Sequence, residues 1–419
     1  MRSMSEMPYH MAIKGKLYLD DKKKHIVAIN DGAKRYVYNH LVATNNELYQ
    51  LRKTNIPISL LENRMDYLKS TIQNATAIKN AAPFLYDSDI DSDAVLHAIA
   101  NYKTAWKNRK ERHTGVPVFH KKGNTQSYQT SNHYKKGAEH MNDGSIRFLD
   151  NKHIHLPKMG RVRIGVSKKV IRKLLSRTAT TRIGTVTISK DAVGEYWFSM
   201  TLASEEPFYE ELKHSGSFLG IDLNLDNFLT DSENNVVDNP GFLKNMEDKL
   251  KKEQRKLSRM YGSAKKDKRN LRDSRNYQKQ RRKVAYLHRL ISRQRENFQH
   301  VLSMQIVKNH DFIAAEDLKV SNLVRNHKLA KAISDVSWRS FIIKLQYKAA
   351  FYGKTLVLVD PKNTTQTCSV CGNVLRNDDK LTLNDRDWVC PECGTYHLRD
   401  YNSAVNILNR ALKKNSLTC

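Results

Sequence analysis

The chain has 419 residues, 39% hydrophobic and 27% charged, with 72 Lys and Arg against 43 Asp and Glu for a formal charge of +29. That length allows two or three domains with a sizeable core, and no apolar run approaches the about 20 residues that a membrane span requires. A polycation of this size repels itself unless it binds a polyanion, so the composition points to nucleic acid, and cysteines read as reduced thiols point to a cytoplasmic, nucleoid-associated location.

In chain order, Gly15–Leu19 and His25–Ile29 read as strands, and from Ala33 the pattern turns helical, with Tyr36, Val37, Leu41 and Leu48 spaced for one buried face. Further helices are predicted over Ser59–Asn74 and Ala94–Lys110, the latter burying Leu96, Ile99, Tyr102 and Trp106. Short strands follow at 127–130, 146–148, 153–156, 162–164, 182–188 and 196–202. Their alternation with Gly and Asn turns suggests a small β-barrel into which the first helices are inserted. Its loops carry Lys121, Lys122, Lys135, Lys136, Lys158 and Arg161 beside Tyr128 and Tyr134, and Gln129 and Thr130 are further candidates for reading nucleic acid. Basic residues interleaved with aromatics hold a phosphate backbone and stack bases, although any single one is equally explained as solvated charge.

A polar linker over 204–217 leads to the apolar strand Phe218-Leu-Gly-Ile-Asp222, with Asp226 close behind. Burying an ionised carboxylate without a partner is costly, so Asp222 calls for a cation or a hydrogen-bond network. From Lys244 to Arg295 there are twenty Lys and Arg against five Asp and Glu. The pattern is a basic helical hairpin turning at Gly262, with Leu287, Ile291, Phe298 and Leu302 as the apolar seam of its second arm. Lys251, Lys252, Arg255, Arg281, Arg282, Lys283 and Arg293 are its candidate phosphate contacts, against the plainer alternative of a solvated coiled coil. Then come a second acid-bearing strand, Phe312-Ile-Ala-Ala-Glu316, a helix over Ser334–Tyr352 and the strand Thr355–Val359. Strands, helix, acidic strand, helix, strand and a closing helix with an acid make an RNase H-like order.

The strongest local signal is Cys368-Ser-Val-Cys371 with Cys390-Pro-Glu-Cys393. Two Cys-x-x-Cys knuckles supply the four thiolates of a closed tetrahedral Zn²⁺ site; the plainer alternatives, buried thiols or the disulfides of a secreted protein, are disfavoured by four of five cysteines falling in this register. Asp400 follows seven residues after the last cysteine, before an amphipathic stretch through Ala404, Ile407, Leu408 and Ala411. Taken alone, Asp400 is as well explained as an N-cap. If Asp222, Glu316 and Asp400 converge, their repulsion calls for divalent cations, and hard oxygen ligands favour Mg²⁺. Two such ions about 4 Å apart activate a water and stabilise the departing 3′ oxygen of a phosphodiester, with Asp222 as the shared ligand.

These motifs resemble the TnpB family of transposon-encoded RNA-guided DNA nucleases, relatives of type V CRISPR effectors. The resemblance runs through Gly220-Ile-Asp222-Leu-Asn, Ala315-Glu316-Asp-Leu, Asn326-His-Lys-Leu-Ala-Lys-Ala-Ile-Ser-Asp335, the two Cys knuckles and Arg399-Asp-Tyr-Asn402. It continues more weakly through Arg35-Tyr-Val-Tyr-Asn39, Gly115-Val-Pro-Val-Phe119 and Leu156-Pro-Lys-Met-Gly160. It implies an α+β multidomain architecture. A wedge-like β-barrel would span 1–32 and 112–205, and a helical recognition insert 33–111. A RuvC nuclease domain would span 217–366 and 397–419 with the basic hairpin at 243–300, interrupted by a zinc-ribbon target-loading module at 367–396. It further implies a guide RNA from the transposon end, one protein chain per RNA, and double-stranded DNA cut beside a short motif read by the protein. One departure is His397-Leu-Arg-Asp400 where the family often has Asp-Arg-Asp. The competing expectations are a nuclease-silent RNA-guided repressor and a miniature type V CRISPR effector; a guide-independent resolvase or a transposase fits least.

Overall fold

The computed structural model describes residues 3–271, 273–318, 335–382 and 384–415. It divides into two compact units, Met1–Phe208 and Tyr209–Cys419. Among the described residues no helix is long and apolar enough to cross a membrane.

The first unit opens with strand β1 (Tyr9–Tyr18), after which the Asp20 carboxylate accepts from the Lys23 amide at 2.8 Å and caps helix α1 (Asp21–Leu51). The segment His25–Ile29, expected as a strand, therefore lies inside a helix. Its β-branched Ile26 and Val27 suggest a strand locally, but with Asn30, Ala33, Val37 and Leu41 they form a buried stripe at three- and four-residue intervals. Helices α2 (Ile58–Gln73), α3 (Ala75–Ala81) and α4 (Ser92–Arg112) follow. Val37, Leu41, Ile78, Leu85, Val95, Ile99 and Tyr102 form the core of this helical layer. Leu96 faces solvent instead, because the buried stripe of α4 runs through Val95 and Ala98.

The helices sit between β1 and the remaining strands β2 (Gln126–Ser131), β3 (Arg147–Phe148), β4 (His153–Leu156), β5 (Gly160–Gly165), β6 (Thr181–Lys190) and β7 (Tyr196–Ser204). A short helix, α5 (Lys168–Leu175), joins β5 to β6. All seven strands pair antiparallel in the order β2-β6-β7-β1-β5-β4-β3. The two ends approach each other where Tyr134 bridges Gly144 and the Ser145 amide donates to the His133 carbonyl at 3.0 Å.

The second unit is built on strands β8 (Phe218–Asp222), β9 (Asn227–Asp231), β10 (Val236–Asp238), β11 (Phe312–Glu316) and β12 (Thr355–Val359), ordered β10-β9-β8-β11-β12. β8, β11 and β12 are parallel, and β9 runs against both of its neighbours. The two-residue period of a strand sorts side chains to two faces. Leu219, Ile221, Ile313 and Ala315 pack under helices α7 (Arg275–Asn309) and α8 (Trp338–Phe351) through Leu302, Ile306, Phe341 and Leu345. Phe312, Ala314, Val357 and Val359 pack under α9 (Arg399–Lys414) through Ile407, Ala411 and Leu412. Burying each large aliphatic or aromatic side chain contributes about 1.5–3 kcal/mol.

Helix α6 (Phe242–Lys266) pairs with α7 as the basic hairpin, sealed by Leu250, Val284, Leu287 and Ile291. Gly262, expected at the turn, stays within α6, which runs on to Lys266 before α7 begins at Arg275. Phe298 and Leu302, expected on the same seam, join the sheet core instead, because α7 outruns α6: Phe298 meets Phe228 of β9 as well as Phe242 at the start of α6, and the last turns of α7 pack on the sheet and α8. The strands β13 (Asp387–Val389) and β14 (Tyr396–Leu398) form the ribbon of the Cys module. Of the motif from Asn326 to Asp335, all but Asp335 lies outside the described residues, as does Cys419.

Candidate metal centres

The parity of the strands decides where the acids point. Asp222 ends β8 on the face of Gly220, and Glu316 ends β11 on the face of Ala314, so both carboxylates lie on the α9 side at the carboxyl ends of adjacent parallel strands. Gly220 makes this possible: a Cβ there would lie 2.1 Å from the Ala404 carbonyl oxygen and 2.8 Å from Leu408 Cβ. Only a bare backbone lets α9 come this close. The helix then brings Asp400 in its first turn, and one turn later Ser403, whose hydroxyl donates to Asp222 Oδ1 at 3.0 Å. Glu316 Oε1 accepts from Thr364 Oγ1 at 2.6 Å, and Asp400 Oδ1 accepts from Arg399 Nε at 3.0 Å.

Asp222 and Glu316 are buried. Burial, then the charges of Glu316 and Asp400, push the Asp222 carboxyl up to about 8 against the weaker help of Ser403 and Arg399. Burial also raises Glu316, opposed by Thr364 and Arg410. Carboxylates gathered in this way, with Glu316 and Asp400 bearing on a buried Asp222, are a donor set matched to hard divalent cations. Asp226 stands apart, exposed and paired with Arg386.

The Cys module supplies a second donor set. Cys368, Cys371, Cys390 and Cys393 place their sulfurs within 4.8 Å of one another, with 3.7 Å between Cys368 and Cys393 and 3.6 Å between Cys371 and Cys390. Sulfurs at about 2.3 Å from a common centre sit about 3.8 Å apart in a tetrahedron, so the cluster fits Zn²⁺. Each knuckle is closed by backbone: the Gly372 amide donates to the Cys368 carbonyl at 3.0 Å and the Gly394 amide to the Cys390 carbonyl at 2.9 Å. Buried His397 points into this cluster, with Nε2 3.1 Å from Cys368 Sγ and its ring 4.7 Å from that of Trp388. Burial lowers its pKa, which favours the neutral ring that donates an N–H to a thiolate.

Residues 199–327 match the family described as "Probable transposase", the OrfB proteins of IS605, and residues 338–407 match the "Cas12f1-like, TNB domain". A Streptomyces pristinaespiralis protein, named as a candidate RNA-guided DNA endonuclease, is 28% identical over 402 residues, covering 96% of this chain and 89% of its own. The TnpB-like protein L79 of Acanthamoeba polyphaga mimivirus is 29% identical over 213 residues, 49% of this chain and 39% of its own. Over most of its length the chain is thus similar to RNA-guided DNA endonucleases, and over about half of it to TnpB-like proteins. The fold agrees: the protein chain of a Cas12f1–sgRNA–target DNA complex superposes with a TM-score of 0.56 at 13% identity, covering 96% of this chain and 99% of that one.

Of the nucleic-acid candidates, Lys121 and Lys122 are exposed beside Phe119, which is 52% exposed. Their segment is pinned to α1 by paired bonds between Asn39 and the His120 backbone, 2.9 and 2.7 Å, and by the His120 ring stacked on Tyr38. Tyr128 and Thr130 are fully buried and present nothing to a base; the parity of β2 turns them inward, while Gln129 is half-buried and holds Asn101 at 3.0 Å. On the hairpin, Lys252, Arg255, Arg282 and Arg293 are exposed, Lys251 and Lys283 pair with Glu247 and Glu253, and Arg281 is half-buried with its Nε against the core. Sequence reasoning missed Thr364, Ser403, Asn402, Asn406 and Arg399. On α9, Arg399, Asn402 and Asn406 lie on a polar stripe that reads as a solvated face until residues 364–369 and Asp385 cover it, while Ser403 turns to Asp222.

Proposed function

We propose that this chain is an RNA-guided DNA endonuclease of a mobile element, cutting target DNA beside a short adjacent motif by hydrolysis of a phosphodiester. The observation that carries the reading is the meeting of Asp222, Glu316 and Asp400, from three remote stretches, on the α9 face of a sheet ordered β10-β9-β8-β11-β12. That strand order, with only β9 reversed, supports a RuvC-like domain of RNase H type.

Asp222, Glu316 and Asp400 would hold the Mg²⁺ ions, Asp222 as the carboxylate common to both and Glu316 and Asp400 each on one side. The ions would supply an activated water and charge stabilisation for the departing 3′ oxygen. The chain itself orients these groups: Ser403 fixes one oxygen of Asp222, and Arg399 holds Asp400 while donating to the Asp385 carbonyl at 2.9 Å. In the first unit the seven-stranded sheet serves as the wedge and α1–α4 as the recognition insert. The basic hairpin tracks guide RNA from the transposon end, one chain per RNA, and the Cys module, holding Zn²⁺, loads the target strand. Base pairing reads the sequence, and the protein reads the adjacent motif and duplex shape.

The test is to purify the protein from its native host context, sequence the RNA that accompanies it, and assay a matched DNA with Mg²⁺, wild type beside Asp222→Ala. A discrete transposon-end RNA with cutting by wild type alone is the expected result. The same RNA with binding but no cutting in any divalent metal turns the reading into that of a silent repressor; absence of a specific RNA sinks guidance altogether.

A further inference from the structure

We infer that Thr364, held by Asn402 and Asn406, is a positioning residue for Glu316, so that the turn segment leading into the Cys module is a strut that aims one of the cutting-site acids. This rests on the reading of Asp222, Glu316 and Asp400 as a divalent-metal site. Among the described residues Thr364 is the one side chain that donates to the Glu316 carboxylate, and Thr364 is itself 2% exposed. A neutral hydroxyl fixes the orientation of Oε1 without cancelling the negative charge a cation needs, which a lysine or arginine at this place would do. Mere turn-capping also lies within reach, since the Pro361 carbonyl is 3.1 Å from the same Oγ1; the 2.6 Å bond to Glu316 is the shorter.

Thr364 does not stand by itself. Its carbonyl accepts from Asn406 Nδ2 at 3.0 Å, and the second proton of that amide goes to the Thr367 carbonyl at 2.6 Å. Asn402 brackets the next residues, donating to the Thr367 carbonyl at 2.8 Å and accepting from the Ser369 amide at 2.9 Å. Both amides are buried, so their protons and lone pairs have no water to fall back on and the register of 364–369 against α9 is over-determined. Farther along α9, Arg410 donates to the carbonyls of Asp360 and Lys362 at 3.2 and 2.6 Å. One helix thus bears Asp400, donates to Asp222 through Ser403, and grips the backbone that presents a hydroxyl to Glu316. Cys368 lies inside the gripped segment, which ties the knuckle to the same register.

The test uses full-length, zinc-loaded protein with its co-purified RNA: wild type, Thr364→Val, Thr364→Ser, Asn406→Leu and Asp222→Ala. Mn²⁺ binding is read by electron paramagnetic resonance, with cleavage rate against Mg²⁺ concentration, DNA affinity and thermal melting. Removing a group that orients a metal ligand costs about 10–100-fold in metal affinity or activity. Thr364→Val is expected to bind Mn²⁺ and to respond to Mg²⁺ at concentrations raised by that factor, with DNA affinity unchanged, and Thr364→Ser to restore both. Mn²⁺ affinity and Mg²⁺ response equal to wild type in both Thr364→Val and Asn406→Leu would overturn the inference and leave Thr364 a turn cap. If wild type binds Mn²⁺ in an Asp222-dependent way but cuts no guided DNA, the endonuclease reading fails while the Mn²⁺ comparison still decides the role of Thr364. Asp222→Ala that binds Mn²⁺ like wild type sinks the metal-site reading itself.

Discussion

Asp311 shows what one carboxylate does when its charge is met by the protein rather than by an ion. It sits just before β11, pairs with the buried Lys354 ammonium, and accepts from the Ser215 and Gly216 amides at 2.8 and 2.7 Å. Burial alone would raise it, but Lys354 and the two amides outweigh that and hold it at about 2. A folded value below the unfolded one gives stability that is complete above about pH 4 and is lost as pH falls toward 2, on the order of 2 kcal/mol. Acid titration of wild type against Asp311→Asn, followed by urea melts, should show that loss in wild type and a flat response in the variant. The variant should also start about 3 kcal/mol less stable at neutral pH, because Lys354 is left buried and unpaired. Tyr128 makes the opposite point: its hydroxyl is buried without a hydrogen-bond partner, so Tyr128→Phe should leave RNA and DNA affinity unchanged in filter binding.

Among elements, α9 is the one on which the candidate metal centre depends. Gly220→Ala would push a methyl into the Ala404 carbonyl and Leu408, with no side chain able to swing away. We expect a loss of about 1–3 kcal/mol and, because α9 must lift, a larger loss of cleavage than of DNA binding. Calorimetry and single-turnover cleavage together check this; an Ala variant that cuts normally would show that α9 can retreat without moving Asp400. The Cys module makes a second prediction. Its core is small, Cys368, Leu375, Trp388 and Cys390 with Leu381 packed alongside, too little apolar surface to fold a module without a metal. A zinc-selective chelator should erase hydrogen-exchange protection at β13 and β14, and cleavage with it, before the sheet core of the second unit opens.

For the whole molecule the dominant quantity is charge. With +29 on the chain, RNA binding should weaken steeply with salt through counterion release. Reversing three exposed hairpin cations, Lys252→Glu, Arg255→Glu and Arg282→Glu, should lower the slope of log K against log salt by roughly 3, and weaken all RNA sequences alike. An unchanged slope would move the RNA path off the hairpin.

Much of this was open to reading along the chain, and the division follows the range of the forces involved. The cysteine knuckles, the helix seams at Leu287 and Ile291, and an acid at the end of each apolar strand are local patterns. Thiolate spacing, helical period and the cost of burying a charge act over a few residues, so they survive in one dimension. Other features needed the third. The stretch at His25 was helical because a stripe begun at Ile26 continues through Leu41, and α6 ran on to Lys266 because nothing in Gly262 obliges a helix to stop. Tyr128 and Thr130 face inward because strand parity is set by the partners of β2. The polar stripe of Asn402, Asn406 and Arg410 reads as a solvent face until the segment 360–369 is laid across it. Which carboxylates meet was decided by a sheet that sets β8 beside β11 and by a glycine at 220 that lets α9 close on both; long-range packing chooses these partners, and no local pattern carries that choice.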